Sequence, residues 1–198
     1  CVILALDLTN SESLKIIEDK FNSEKPEIQL LVNNAGFGKY GYFSKLTLNS
    51  QLKMVDLNIK ALLHLTYSAF NFLIRGSNII NVASVAGFLP IAKFGVYAAS
   101  KAFVINFSNV LNAELEPKGI HCIAVCPGPV KTEFTEIAFS EGGKVSPIFA
   151  HVSSNKEEVV ALALKDTEKK KMFSLYGFIT KIIPFIVRFL PRRLLVWS

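Results

Sequence analysis

Apolar residues along the chain fall into two alternating kinds of run. Cys1–Leu6, Ile28–Val32, Asn78–Val82 and Ile120–Cys126 are short, mostly apolar stretches of strand length, and Met172–Tyr176 is a candidate last strand. Between them, apolar positions step by three and four, the spacing of one helix face. Ser11–Phe21 shows it at Leu14, Ile17 and Phe21. The stretch from Leu48 to Arg75 shows it at 48, 52, 55, 59, 62, 66, 69 and 73, and Gly76 stops it. Val96 to Glu116 is a further helix, ended by Pro117 and Gly119. Asn155, with Glu158 three residues on, opens another, and residues 131–153 read as a loop or lid. Continuous apolar strands alternating with helices predict a doubly wound parallel α/β sheet, covered on both faces. Ligands of such sheets bind beyond the carboxyl ends of the strands. Asp7, Asn33–Gly36, Ser84 and Pro127–Gly128 each follow a strand directly.

Composition narrows the classes. With 198 residues, 51% hydrophobic and 19% charged, the chain suits one folded domain and excludes a disordered one. Residues 1–164 hold 14 Lys+Arg and 14 Asp+Glu, whereas 165–198 hold 8 and 2, so the whole net charge of +6 sits in the tail. A nucleic-acid binder spreads basic residues over its folded face, so none is expected as a partner. Cys122 and Cys126 read as buried inert thiols, and the odd cysteine count fits a reducing, cytoplasmic compartment. The apolar start is too short for a signal peptide. His64, His121 and His151 lack ligand spacing, so no metal is expected.

Tyr97 and Lys101 are four apart on a helix and share one face. An ammonium beside a phenol favours the phenolate, which predicts a Tyr97 pKa lowered from its usual value. Ser84, at a strand end 13 residues earlier, puts a hydroxyl in the same cleft. Asn33-Asn34-Ala35-Gly36 supplies small, turn-forming residues where backbone approaches a ligand. Taken in order, Asn33-Asn34-Ala35-Gly36, Asn58, Ser84, Tyr97-x-x-x-Lys101 and Pro127-Gly128 resemble the signature of the short-chain dehydrogenases/reductases, from Asp7 to about Thr132. The tail and the Asn-Asn-Ala-Gly-Phe-Gly start are most similar to ketoacyl-reductase-like members. The resemblance implies an NAD(P)-dependent oxidoreductase that interconverts a carbonyl and a secondary alcohol. Tyr97 is then the general acid, Lys101 lowers its pKa and binds the nicotinamide ribose, and Ser84 holds the carbonyl. Asn58 holds a water in the proton relay. Asp7 contacts the adenine, while Asn34, Ala35 and Gly36 line the adenosine ribose. Pro127, Gly128, Val130 and Thr132 flank the nicotinamide. The cofactor is NADP or NAD, with NADP slightly preferred, and the family is often dimeric through the helices of Asn58 and Tyr97.

The family's glycine-rich phosphate turn has no counterpart in these 198 residues; Gly36-Phe37-Gly38 follows the wrong strand. The chain opens at the family's third strand, so roughly 40 to 60 residues of the pattern are not represented. Cys1–Leu6 then either lacks its neighbours, as in a fragment of a longer protein, or pairs directly with Ile28–Val32, and cofactor binding by this chain alone is expected to be poor. The expected fold is therefore a Rossmann-like domain over 1–176 lacking the first βαβ unit, followed by a basic amphipathic tail over 177–198. Lys181, Arg188, Arg192 and Arg193 interrupt the tail's Phe, Ile and Leu, and its longest uncharged run is too short to span a membrane. It suits a membrane surface, a substrate lid or a dimer contact, and any of these fits an apolar carbonyl substrate. Two rivals stand beside the oxidoreductase. One is a non-catalytic remnant binding membrane or partners, favoured by the unmatched glycine turn. The other is a hydrolase, disfavoured because Ser84 lies in Ala-Ser-Val-Ala-Gly rather than a Gly-x-Ser-x-Gly elbow.

Overall fold

A computed structural model describes residues 1–130, 132–140 and 154–196. Four strands, β1 (Ile28–Asn33), β2 (Leu73–Val82), β3 (His121–Val125) and β4 (Phe173–Ser174), form one sheet in that order, every pair parallel. The connecting helices are α1 (Ser11–Glu24, ahead of β1), α2 (Leu48–Val55), α3 (Leu62–Ala69), α4 (Gly95–Leu115), α5 (Phe134–Phe139) and α6 (Lys156–Glu168). Two tail helices follow, α7 (Phe178–Ile186) and α8 (Arg192–Val196). The two faces of β3 bury different partners. Cys122, with Ile79 of β2, packs on Leu111 and Leu115 of α4, and Ala124 and Cys126 pack near Val104 and Ile105. Ile123 and Val125, with Ile80, turn the other way onto Ala163 of α6. Helices on both faces explain why this strand is apolar at every position rather than at alternate ones.

A polar rung crosses the sheet. Asn33 and Asn81 are register partners. Asn33 Nδ2 donates to Asn81 Oδ1 at 2.8 Å and to Thr66 Oγ1 at 3.0 Å, and Asn81 Nδ2 donates to Ser108 Oγ at 3.0 Å. Buried amides need such partners, since an unpaired one costs about 1–3 kcal/mol. Asn33 therefore ties β1 to α3 and β2.

Several expectations are corrected. Cys1–Leu6 forms no strand and joins no sheet among the described residues; Val2, Ile3 and Leu4 are exposed. An apolar run takes strand form only where a neighbour completes its hydrogen bonds, and β1 pairs only with β2 among the described residues. The long helix over 48–75 is shorter and interrupted: a π-turn spans Asp56–Ala61, a 3₁₀ turn spans Phe70–Phe72, and β2 begins at Leu73. Ser77 makes that early start work, because its Oγ accepts from Ile74 N and donates to Ile28 O. Gly76 lies inside the strand at φ +92, a conformation costly for other residues. Asn155 caps α6 through the Glu157 amide, at 3.1 Å, rather than through Glu158. Part of the lid is helical, as α5; residues 131 and 141–153 of it lie outside the described residues.

Candidate functional site

The site grows from the carboxyl ends of β2 and β3, which are locked together. Ala83 N donates to Val125 O at 2.8 Å, and Val85 N donates to Pro127 O at 3.0 Å. Ser84 caps the 3₁₀ turn Val85–Phe88, its Oγ accepting from Ala86 N at 3.2 Å and reaching Pro127 O at 3.5 Å. That turn lies against α4: a Cβ on Gly87 would stand 2.7 Å from the Lys101 carbonyl carbon. The glycine is what lets the Ser84 turn approach Tyr97's helix.

Tyr97 and Lys101, in the first two turns of α4, are 6% and 4% exposed. Lys101 Nζ donates to Val82 O at 2.7 Å and stands 5.8 Å from the centroid of the Tyr97 ring. Burial pushes the Tyr97 phenol up to about 12, with a hydrogen bond from Ser84 pulling weakly the other way. Burial likewise brings Lys101 down to about 8, opposed by the nearby Cys126. The expected lowering of the phenol's pKa by Lys101 is thus overturned. Desolvation is the larger effect, and the ammonium's short hydrogen bond goes to a backbone carbonyl. At neutral pH Tyr97 carries its proton.

Asn58 sits at the π-turn, 1% exposed. Its Oδ1 accepts from Phe37 N at 3.0 Å, and its Nδ2 donates to Phe37 O at 2.9 Å and to Ser100 Oγ at 3.0 Å. Ser100 in turn donates to Tyr97 O at 2.7 Å. One side chain therefore clamps the loop after β1 onto the helix that carries Tyr97. A Cβ on Gly36 would lie 3.0 Å from Asn58 Oδ1 and 3.2 Å from Lys101 Nζ, so the loop passes closely over both groups.

Beyond the strand ends lies a cleft of about 320 Å³, lined by Gly36, Phe37, Thr132, Glu133, Phe134, Ile137 and Lys156. A smaller hollow of about 60 Å³ is walled by Leu8, Asn34, Ala35 and Leu65 among others. Asp7 stays apart: its exposed carboxylate accepts from Thr9 N at 2.9 Å and Thr9 Oγ1 at 2.7 Å, bonds that hold its pKa down. Pro127 and Gly128 border Ser84 and α7, Gly128 so closely that a Cβ would stand 2.9 Å from Thr180 Cγ2, and Val130 bridges to Ser154. The close passage at Gly36 over the buried Lys101 ammonium, with the Tyr97 ring centroid 5.8 Å from that ammonium, is chemistry that suits the hydroxyl groups of a dinucleotide's ribose. Both sheet thiols are buried, and burial pushes each up to about 12, so they are inert. No metal-holding cluster occurs among the described residues.

Sequence reasoning missed the aromatic walls. Phe94 stacks on Tyr97 with ring centroids 4.4 Å apart, and Phe134 meets it at 5.3 Å. Phe94 stands at the non-helical residue just before α4, and Phe134 arrives from α5, so helical spacing pointed to neither. Lys156 and Ser100 were missed as well.

The short chain dehydrogenase family model matches residues 1–142. "Probable oxidoreductase EphD" of Mycobacterium tuberculosis is 25% identical over 210 residues, covering 94% of this chain and 35% of that protein. "Sulfoacetaldehyde reductase 2" of Chromohalobacter salexigens is 34% identical over 134 residues, covering 66% of this chain and 53% of that one. A short-chain dehydrogenase from Sphingobium yanoikuyae, solved with NADPH, is 30% identical at a TM-score of 0.74, covering 88% of this chain and 68% of that one. The chain thus spans about a third to a half of the length of these curated relatives.

Proposed function

The chain belongs to the short-chain dehydrogenase family, and from that premise we propose that the protein is an NADP- or NAD-dependent oxidoreductase, NADP preferred, that interconverts a carbonyl and a secondary alcohol on an apolar substrate. The observation that carries the reading is the buried trio of Ser84, Tyr97 and Lys101 at the ends of β2 and β3. Ser84 Oγ–H donates to the substrate carbonyl oxygen and holds it beside Tyr97. The protonated Tyr97 hydroxyl gives its proton to that oxygen as charge develops there, and takes it back in oxidation. Lys101 supplies a fixed positive charge beneath the site. Asn58 keeps the Phe37 backbone against the Tyr97 helix, and a water held there remains its relay role. Residues Asn34, Ala35, Gly36, Lys101, Pro127, Gly128, Val130 and Thr132 hold the dinucleotide, with Asp7 at its adenine end. The nicotinamide, when bound, supplies the hydride that adds to the carbonyl carbon.

Phe37, Phe134 and Ile137 in the cleft wall support an apolar substrate. The NADPH held by the Sphingobium relative supports NADP. Leu63, Tyr67 and Val110, exposed on α3 and α4, support a homodimer through those helices. We place the domain at 1–176 and the tail at 177–198, in a cytoplasmic protein whose tail makes peripheral membrane contact. No described helix is long and apolar enough to cross a membrane. The intact trio argues against a non-catalytic remnant. The test is NADPH oxidation with a panel of aryl and long-chain ketones, run beside the matching esters. Ketone-dependent oxidation is expected. Ester cleavage without cofactor would assign the site to a hydrolase, and neither activity in a folded, cofactor-saturated sample would leave the remnant.

A further inference from the structure

The tail has three sides. Thr180 of α7 is buried on Gly128, and Ile183 and Val187 are partly buried on the same side. Facing away, Phe178, Phe185 and Phe189 follow at steps of seven and four, with the exposed Ile179 and Ile186 beside them and Ile182 partly buried at the margin. Phe178, Phe185 and Phe189 are 79%, 70% and 78% exposed, so this second stripe is left open to solvent among the described residues. Between the two stripes lie Lys181 and Arg188, seven apart and both exposed. No Asp or Glu follows Glu168 in the sequence.

From this geometry we infer that α7 and the turn after it dock on an anionic phospholipid surface, with Phe178, Phe185 and Phe189 entering the boundary between headgroups and acyl chains and Lys181 and Arg188 lying against lipid phosphates. The charge distribution selects this occupant. A second copy would bring together two basic tails without acidic side chains after Glu168, and the near-neutral rest of the chain offers no compensating excess of negative charge. An anionic bilayer answers both the exposed aromatic stripe and the basic flank. The helix lies along the surface, since its nine residues are too few to span it. Because Thr180 sits on Gly128, the docked helix is seated directly on the turn after β3. The inference deepens the membrane contact of the proposed function and rests on that reading only for its purpose, delivery of an apolar substrate from lipid.

The test is co-sedimentation of the protein with vesicles of phosphatidylcholine alone and with about 30% phosphatidylglycerol, at low and high salt. Saturable binding to the anionic vesicles is expected, weakened by salt. It should fall about fivefold for each of Lys181→Glu and Arg188→Glu, and at least about tenfold for Phe185→Ser/Phe189→Ser. Those side chains are exposed, so an unchanged melting temperature should confirm that each variant folds. Equal binding to both vesicle types, or variants that bind as the parent does, would overturn the proposal. So would vesicle-free self-association that the paired Phe variant abolishes, which would give the face to a second copy. Vesicle binding is read without turnover, so the lipid proposal and the catalytic one fail independently.

Discussion

The two sides of the sheet are finished to different degrees. Where β2 and β3 pair, from Asn78 to Val82 and His121 to Val125, helices cover both faces, Ile79 and Ile123 are wholly buried, and Ser84, Tyr97 and Lys101 gather at the ends. At β1, Leu30 and Val32 are half exposed, and Cys1–Leu6 is in no strand. Ser84, Tyr97 and Lys101, the groups proposed to react, are held on the closed side, whereas Asn34, Ala35 and Asp7, proposed for the adenosine end, belong to the open one. Chemistry that needs fixed geometry has its supports complete. The residues that would only add affinity lie where the chain is less constrained.

Removing bulk from each side tests that contrast. Ile123→Ala should cost about 2–5 kcal/mol in chemical denaturation, because β3 is covered on both faces and cannot collapse around the cavity. A loss under about 1 kcal/mol would mean the closed side is softer than its packing implies. The buried site should also show in the pH dependence of stability. The folded pKa of Lys101, about 8, lies below its unfolded value of 10.5, so the unfolded state holds the extra proton between those values. Stability contributed by this group therefore rises with pH across that window, by about 3 kcal/mol in all. Cys122 and Cys126, raised from 9.0, and Tyr97, raised from 10.0, act in the opposite sense from within that window upward. The readout is accordingly the difference between the parent and Lys101→Met. A difference flat from pH 8 to 10 would show Lys101 to be hydrated. The smallest effect belongs to the open edge: Leu30→Lys should change stability by less than about 0.5 kcal/mol while reducing aggregation, since a charge on an exposed strand edge deters edge-to-edge pairing. A large destabilisation would mean that β1 is covered after all.

What the sequence revealed follows the same division. Strands β1, β3 and β4 and helices α1 and α4 were legible within a few residues, because burial on both faces or on one stripe leaves a clear period. Cys1–Leu6 was misread because an apolar run does not state whether a neighbour exists to pair with it. The stretch 70–75 was misread because a short apolar segment fits either period, and pairing with β1, helped by the Ser77–Ile28 hydrogen bond, decides for strand from Leu73. Ser84, Tyr97 and Lys101 were singled out by the resemblance of the ordered motifs rather than by spacing alone, and the fold brings the three to the same strand ends. Their electrostatics were not legible: the direction of the Tyr97 shift depends on how deeply Phe94, Phe134 and the Ser84 turn bury it, and those walls come from three separate segments.

The central claim is that the Tyr97 hydroxyl is the proton donor of a nicotinamide-dependent carbonyl reduction. Its most direct test is the rate of NADPH oxidation with an apolar ketone, at saturating cofactor, for the parent and for Tyr97→Phe at matched melting temperature. The substitution removes one buried oxygen and keeps the ring stacked on Phe94. The account expects kcat to fall by about 100- to 10,000-fold with KM little changed. A variant that reduces the ketone as fast as the parent would contradict it.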